Sequence, residues 1–192
     1  MPPVPKSRYV VFFAIAILGC AADLFTKEWM FRWRGLPRAN NQFWLIQGRL
    51  GIETSVNPGA LFGMGAGYWW IFALLSFAAA IGILTWLFVF RGAADRWLIV
   101  ALGSITGGIL GNLYDRLGLW DSTGLPPHLH HGVRDWILFV WPEVKLRIFN
   151  PWPNFNIADT LLVTGAILLV LHALLWREPK EQPAEAQQPT EA

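Results

Sequence analysis

The chain has 192 residues, 54% of them hydrophobic and 15% charged, whereas ordinary soluble domains carry about 25% charged residues. A formal net charge of +2 with no basic stripe excludes a nucleic-acid-binding surface, so no nucleic acid partner is expected. The single cysteine, Cys20, excludes an intramolecular disulfide framework and a multi-thiolate zinc site.

Four apolar runs account for this composition, at about residues 9–27, 68–90, 97–114 and 157–176. Each is close to the ~20 residues that cross a bilayer as a helix. Backbone polar groups in lipid must pair within their own segment, and no two-residue alternation supports a barrel. The expected fold class is therefore an all-α integral membrane protein with four transmembrane helices in contact with membrane lipid. Residues 1–176 read as one membrane-embedded domain.

In the first run, Ile17-Leu18-Gly19-Cys20 loosely resembles a lipobox, and an anchored structural subunit is one alternative. The bulky Leu18 and the apolar character beyond Cys20 favour a spanning helix instead. Asp23 and Lys27 then fall at i, i+4 on one face near its end. In the long connection that follows, Phe43–Ile46 and Leu50–Val56 flank Gly48 and predict a small β-rich region between helices one and two. Asn57-Pro58-Gly59-Ala60-Leu61-Phe62-Gly63 is a turn leading into helix two, which carries no charge. In helix three, Gly103, Gly107 and Gly111 form a smooth stripe for close helix packing. Asn112, Asp115 and Arg116 share one face at its far end.

The second long connection, residues 117–156, is broken by prolines, and Gly132–Phe139 within it reads as a short interfacial helix. His128, His130 and His131 lack the partner ligands of a metal site and read as a surface loop, while His172 reads as a packing residue. No metal and no other cofactor is expected. Asn156 and Asp159 open helix four. A carboxylate beside hydrocarbon costs about 2.5–3.5 kcal/mol on insertion scales, so Asp159 demands a use. Residues 177–192 are too polar to bury a core and read as a disordered cytoplasmic tail.

Four spans put both long connections, and the polar residues flanking them, on one membrane face. The long connections and adjoining helix ends hold nine Lys and Arg against six elsewhere, which opposes the positive-inside rule by raw count. Charge close to the helix ends favours cytoplasmic termini. With no clustered thiols and no nucleophile elbow, the chemistry left to the converging acids is carboxylate acid–base catalysis. Two adjacent aspartates share a proton, one drawing a proton from water while its protonated partner polarises a carbonyl. Asp23, Asp115, Asp135 and Asp159 are the candidates. Lys27 and Arg116 lie on the faces of the first two, which leaves Asp135 and Asp159 as the less neutralised pair. A small proton- or ion-coupled transporter is the alternative, because intramembrane acids also mark ion paths.

Five motifs, in order, resemble those of the signal peptidase II family, the bacterial lipoprotein signal peptidases. They are Asp23 to Lys27, Asn57–Gly63, Gly107-Gly108-Ile109-Leu110-Gly111-Asn112-Leu113-Tyr114-Asp115-Arg116, Val133-Arg134-Asp135, and Phe155-Asn156-Ile157-Ala158-Asp159. The resemblance implies a four-helix aspartic endopeptidase in the bacterial cytoplasmic (inner) membrane, and a monomer is expected. Its substrate would be a diacylglyceryl-modified prolipoprotein, cut just before the lipidated cysteine near the outer face. It further implies Asp135 and Asp159 as the catalytic dyad, with Asn57, Asn112, Arg116 and Asn156 supporting substrate or dyad and Asp23, Lys27 and Asp115 beside them. The chain departs from the family pattern in a longer connection between Asp115 and Asp135, with Gly124–His131 inserted. It also has Arg134 in place of an apolar residue and Leu61 in place of alanine.

Overall fold

The computed structural model describes residues 4–59, 64–90, 92–145, 150 and 152–175. Leu61, the rest of Ala60–Gly63, and the tail at 177–192 lie outside the described residues. Four helices, α1 (Lys6–Arg34), α2 (Trp69–Phe88), α3 (Arg96–Arg116) and α4 (Ile157–Leu175), are long and apolar enough to cross a membrane. Helix α1 runs seven residues past the expected end, because nothing between Glu28 and Arg34 breaks a helix and Arg32 pairs with Glu28 one turn back at 2.6 Å. It stops at Gly35, whose φ of +80° closes the last turn with an N–H bond to Phe31 O at 2.9 Å. Cys20 lies within this continuous helix, half-buried.

Helix α3 is the central element, with neighbours on most of its circumference. The glycine stripe serves close helix packing as expected, and the structure gives its partner as α1. Gly103 meets Phe12 O and Ile15, Gly107 meets the backbone of Ala16 and Cys20, and Gly111 meets Asp23. On another side Gly108 admits α4, where a Cβ would lie 2.5 Å from Ala158 O. Glycine thus brings two backbones close to α3, a packing suited to lipid, where apolar burial alone gives helices little reason to associate. At the end carrying the start of α1, Phe12, Leu87, Ala93, Ile99 and Leu102 form an apolar cluster. The buried residues of α1 form one stripe, and this stripe changes from Phe12 and Ala16 to Asp23 and Lys27 toward the other end.

The sheet corrects two expectations. Strands β1 (Phe43–Ile46) and β2 (Leu50–Asn57) form where alternation predicts them, but the second connection adds β3 (Val133–Phe139) and β4 (Trp152–Phe155). The result is one antiparallel sheet in the order β1-β2-β3-β4, so the fold is not wholly helical outside the first connection. Gly132–Phe139 is accordingly a strand rather than an interfacial helix. Its β-branched and aromatic residues satisfy their backbone groups against β2, with Ser55 opposite Asp135 and Asn57 opposite Val133. β4 runs directly into α4, which ties the sheet to the start of the fourth span.

Candidate active site

The junction between β4 and α4 is closed by Asn156 and Asp159. Asn156 Oδ1 accepts from the Asp159 N–H at 2.9 Å, and Asp159 Oδ2 accepts from the Asn156 N–H at 3.2 Å. This is a capping box, in which residues three apart satisfy each other's helix-start donors. Asp23 Oδ1 accepts from the next N–H, that of Ala158, at 2.9 Å. The acid at the helix start is therefore held by local backbone geometry as well as by its neighbours.

From this junction a polar network reaches α1, α3 and β3. Asn156 Nδ2 donates to Asp135 Oδ1 at 2.7 Å and lies 3.2 Å from Asn112 Oδ1. Asn112 Nδ2 donates to Asp159 Oδ1 at 2.8 Å, and Asn112 Oδ1 accepts from Lys27 Nζ at 2.9 Å. Lys27 is fully buried and pairs with Asp23 Oδ2 at 2.7 Å and Asp115 Oδ2 at 3.1 Å. Asp23, Lys27, Asn112, Asp115, Asp135, Asn156 and Asp159, drawn from three helices and one strand, are thus one connected group.

Arg116 and Asn57 lie at the edge of this group. The Arg116 guanidinium donates to Asn57 O at 3.1 Å and to Gly59 O, and lies 3.4 Å from His131 O. It therefore fastens the turn after β2 to the second connection. This changes the expected partner of Asp115. Its cations are Lys27 and Arg134, because Arg116 points to these carbonyls instead. Arg134 was the residue whose importance sequence reading missed: it is 2% exposed and holds Asp115 Oδ1 through both Nε at 3.0 Å and Nη2 at 2.9 Å. A basic residue inside an apolar strand beside an acid was the available signal.

Asp135 and Asp159 both line a cavity of ≈ 770 Å³, along with Asn57, Asn112 and Arg116. Phe72, Leu75 and Ala79 of α2 and Leu162 and Val163 of α4 give it apolar walls. Asp135 is 3% exposed. Burial pushes its carboxyl well above the ordinary carboxylate range; the Asp159 charge adds to this, while Lys27 and the Asn156 hydrogen bond oppose it. The arrangement offers a buried acid able to hold a proton and a second carboxylate on the same cavity. Asp121 is exposed, caps the Thr123 N–H at 3.0 Å, and does not line this cavity.

His130, His131 and His172 have local partners. His131 stacks on Trp69 with ring centroids 3.8 Å apart, and its Nδ1 is 3.1 Å from Arg116 O. His130 Nε2 is 2.9 Å from Leu125 O, and His172 Nε2 pairs with Asp95 Oδ2 at 2.7 Å. Among the described residues no three His, Cys, Asp or Glu side chains converge in a metal-holding group.

Residues 15–175 match the family description of signal peptidase (SPase) II. A lipoprotein signal peptidase of Rhodopirellula baltica is 54% identical over 169 residues, covering 88% of this chain and 74% of that protein. One of Rhodococcus jostii is 33% identical over 181 residues, covering 92% and 79%. Two solved bacterial membrane enzymes share the fold. One has a TM-score of 0.67 at 24% identity, covering 94% of each chain. The other has a TM-score of 0.65 at 26% identity, covering 85% of this chain and 92% of that one. The chain belongs to the signal peptidase II family, the lipoprotein signal peptidases, and is by that membership an aspartic peptidase.

Proposed function

We propose that this protein removes the signal peptide from diacylglyceryl-modified prolipoproteins by cleaving before the lipidated cysteine, with Asp135 and Asp159 as the catalytic dyad. The observation that carries this reading is Asn156, which bonds Asp135 through its side chain while its backbone N–H and side-chain oxygen engage Asp159. One residue thereby sets the relative position of two acids on a cavity with apolar walls. Asp159 takes a proton from water as the oxygen attacks the scissile carbonyl carbon. Protonated Asp135 gives its proton to the carbonyl oxygen. Collapse of the resulting gem-diol breaks the C–N bond as Asp159 gives its proton to the departing amine nitrogen and a gem-diol hydroxyl returns a proton to Asp135. Asn112, Asn156 and Lys27 hold the acids, and Arg116 and Asn57 shape the rim where substrate backbone would lie.

The lipid chains fit the apolar side of the cavity, between α2 and α4. Family membership implies a bacterial inner-membrane enzyme. We place both termini on the cytoplasmic side, the sheet and site near the outer face, and the working unit as a monomer formed by the single domain 1–176. The transporter alternative is not favoured: it calls for acids through the depth of the bilayer, whereas α2 has none and the acids of α1, α3 and α4 meet at one end. The test is to incubate the purified protein with a diacylated prolipoprotein. Wild type is expected to cleave, and Asp135→Asn and Asp159→Asn to be inactive. Wild-type cleavage rates in either variant refute the dyad, and an inert wild type refutes the function.

A further inference from the structure

We infer that Arg134 is a positioning residue for this reaction, acting through Asp115 and Lys27 to fix the amide of Asn112 that holds Asp159. The inference rests on the peptidase reading above. Its starting point is that the whole guanidinium is committed inside the protein. Nε and Nη2 take Asp115 Oδ1, Nη1 reaches Glu28 Oε2 at 3.2 Å, and the Arg134 backbone N–H donates to Asp115 Oδ2 at 3.0 Å. Trp120 lies beside the guanidinium, 5.1 Å from ring centroid to Cζ. Two N–H groups of the planar guanidinium converge on one carboxylate oxygen, an arrangement that a lysine ammonium does not reproduce.

Lys27 is the next link. Its single ammonium faces three acceptors, Asp23 Oδ2, Asp115 Oδ2 and Asn112 Oδ1. With Arg134 on Asp115, the two buried acids Asp23 and Asp115 are balanced by two buried cations, and Lys27 has a proton to spare for Asn112. Without Arg134, Lys27 is the one cation among the described residues left in ion-pair contact with Asp115, which draws the ammonium away from the amide. Asn112 Oδ1 then loses its charged donor. That matters because Lys27 and Asn156 together point Oδ1 away from Asp159, which leaves Nδ2 to donate to Asp159. A reoriented amide would present oxygen to oxygen. Other charges around Arg134 and the dyad are Asp23, Lys27 and Glu28 of α1, Asp115 and Arg116 of α3, Asp135 of β3 and Asp159 of α4.

The experiment compares wild type, Arg134→Met, Arg134→Lys and the double variant Arg134→Met/Asp115→Asn on a diacylated prolipoprotein, reading kcat, KM and the pH dependence of kcat. Arg134→Met is expected to lower kcat on the order of 10²-fold with KM changed by less than about twofold, since misplacement of a reacting group costs turnover rather than binding. Its acid limb is expected to move to higher pH, because the unbalanced Asp115 charge opposes ionisation at the dyad. Arg134→Lys recovers part of the rate. The double variant is expected to recover about tenfold over Arg134→Met, because a neutral amide no longer competes for Lys27. Wild-type kcat and pH profile in Arg134→Met overturn the assignment, as does a loss carried wholly by KM or a double variant no faster than the single one. Should Arg134→Met fail to accumulate, Arg134→Lys carries the test: a several-fold lower kcat at unchanged KM is expected, and a wild-type kcat overturns it. Cleavage by wild type with indifference to Arg134 refutes this inference alone, whereas an inert wild type refutes the peptidase reading and the inference together.

Discussion

Replacing Lys27 with methionine removes a fully buried charge from between two fully buried carboxylates. The two acids are not left in the same position. Asp115 keeps the Arg134 fork and the Arg134 backbone N–H. Among the described residues, Asp23 keeps the Ala158 N–H on Oδ1, while its Oδ2 loses Lys27, the one group it pairs with. One uncompensated buried charge remains, which costs about 3–5 kcal/mol. Adding Asp23→Asn removes that charge while retaining an oxygen for the Ala158 N–H, so the double variant is expected to lose only about 1–2 kcal/mol, the cost of imperfect hydrogen bonding. The double variant is thus expected to be roughly 2–3 kcal/mol more stable than Lys27→Met alone, and the coupling between Lys27 and Asp23 is at least that size, increased by whatever Asp23→Asn costs by itself. Reversible unfolding in detergent micelles, followed by tryptophan fluorescence on the four proteins, measures it. A coupling below about 0.5 kcal/mol would refute the view that Lys27 is retained to balance Asp23.

Asp135→Asn is expected to abolish cleavage and to stabilise the protein increasingly as pH rises. The folded Asp135 carboxyl sits above its unfolded value, so its contribution is intact below the unfolded range and is lost as pH climbs through the folded one. Thermal midpoints of variant and wild type should coincide in acid and diverge toward alkaline pH, and a constant gap would contradict the buried-acid account. Gly108→Ala puts a Cβ 2.5 Å from Ala158 O and 2.8 Å from Leu162 Cγ. It is expected to cost about 1–3 kcal/mol by overpacking and to depress cleavage by displacing the start of α4. Gly82→Ala, whose new methyl meets nothing within 4 Å beyond its own stretch of helix backbone, is its control and should be neutral or stabilising by up to about 1 kcal/mol. Equal effects at the two glycines, read as thermal midpoints in detergent, would contradict the packing argument.

The spans were legible because a bilayer imposes one solution on a long apolar run, and Asp159 because a carboxylate at such a run's start is costly. The capping box is also written in the order Asn156-Ile157-Ala158-Asp159, two polar residues three apart at the start of an apolar run. β3 and β4 were not legible. A seven-residue apolar stretch has no decisive period, and the partner that makes it a strand, β2, lies about eighty residues earlier. The same long-range pairing hid the role of Arg134. In a helix its neighbour relation to Asp135 says little, but in a strand alternate side chains go to opposite faces, sending Arg134 to Asp115 and Asp135 to the cavity. Arg116 illustrates the converse: sequence adjacency suggested a partner, and the carbonyls of a distant turn provided better ones.

The cavity takes its apolar walls from α2 and α4, the two spans with the least buried surface, and α2 packs chiefly on α3. For a substrate anchored in the same bilayer, as proposed, the quantity that fills the site is its mole fraction among lipids. Diluting a micellar assay with detergent at fixed bulk substrate should then slow turnover, and a Michaelis constant has meaning only per unit of surface.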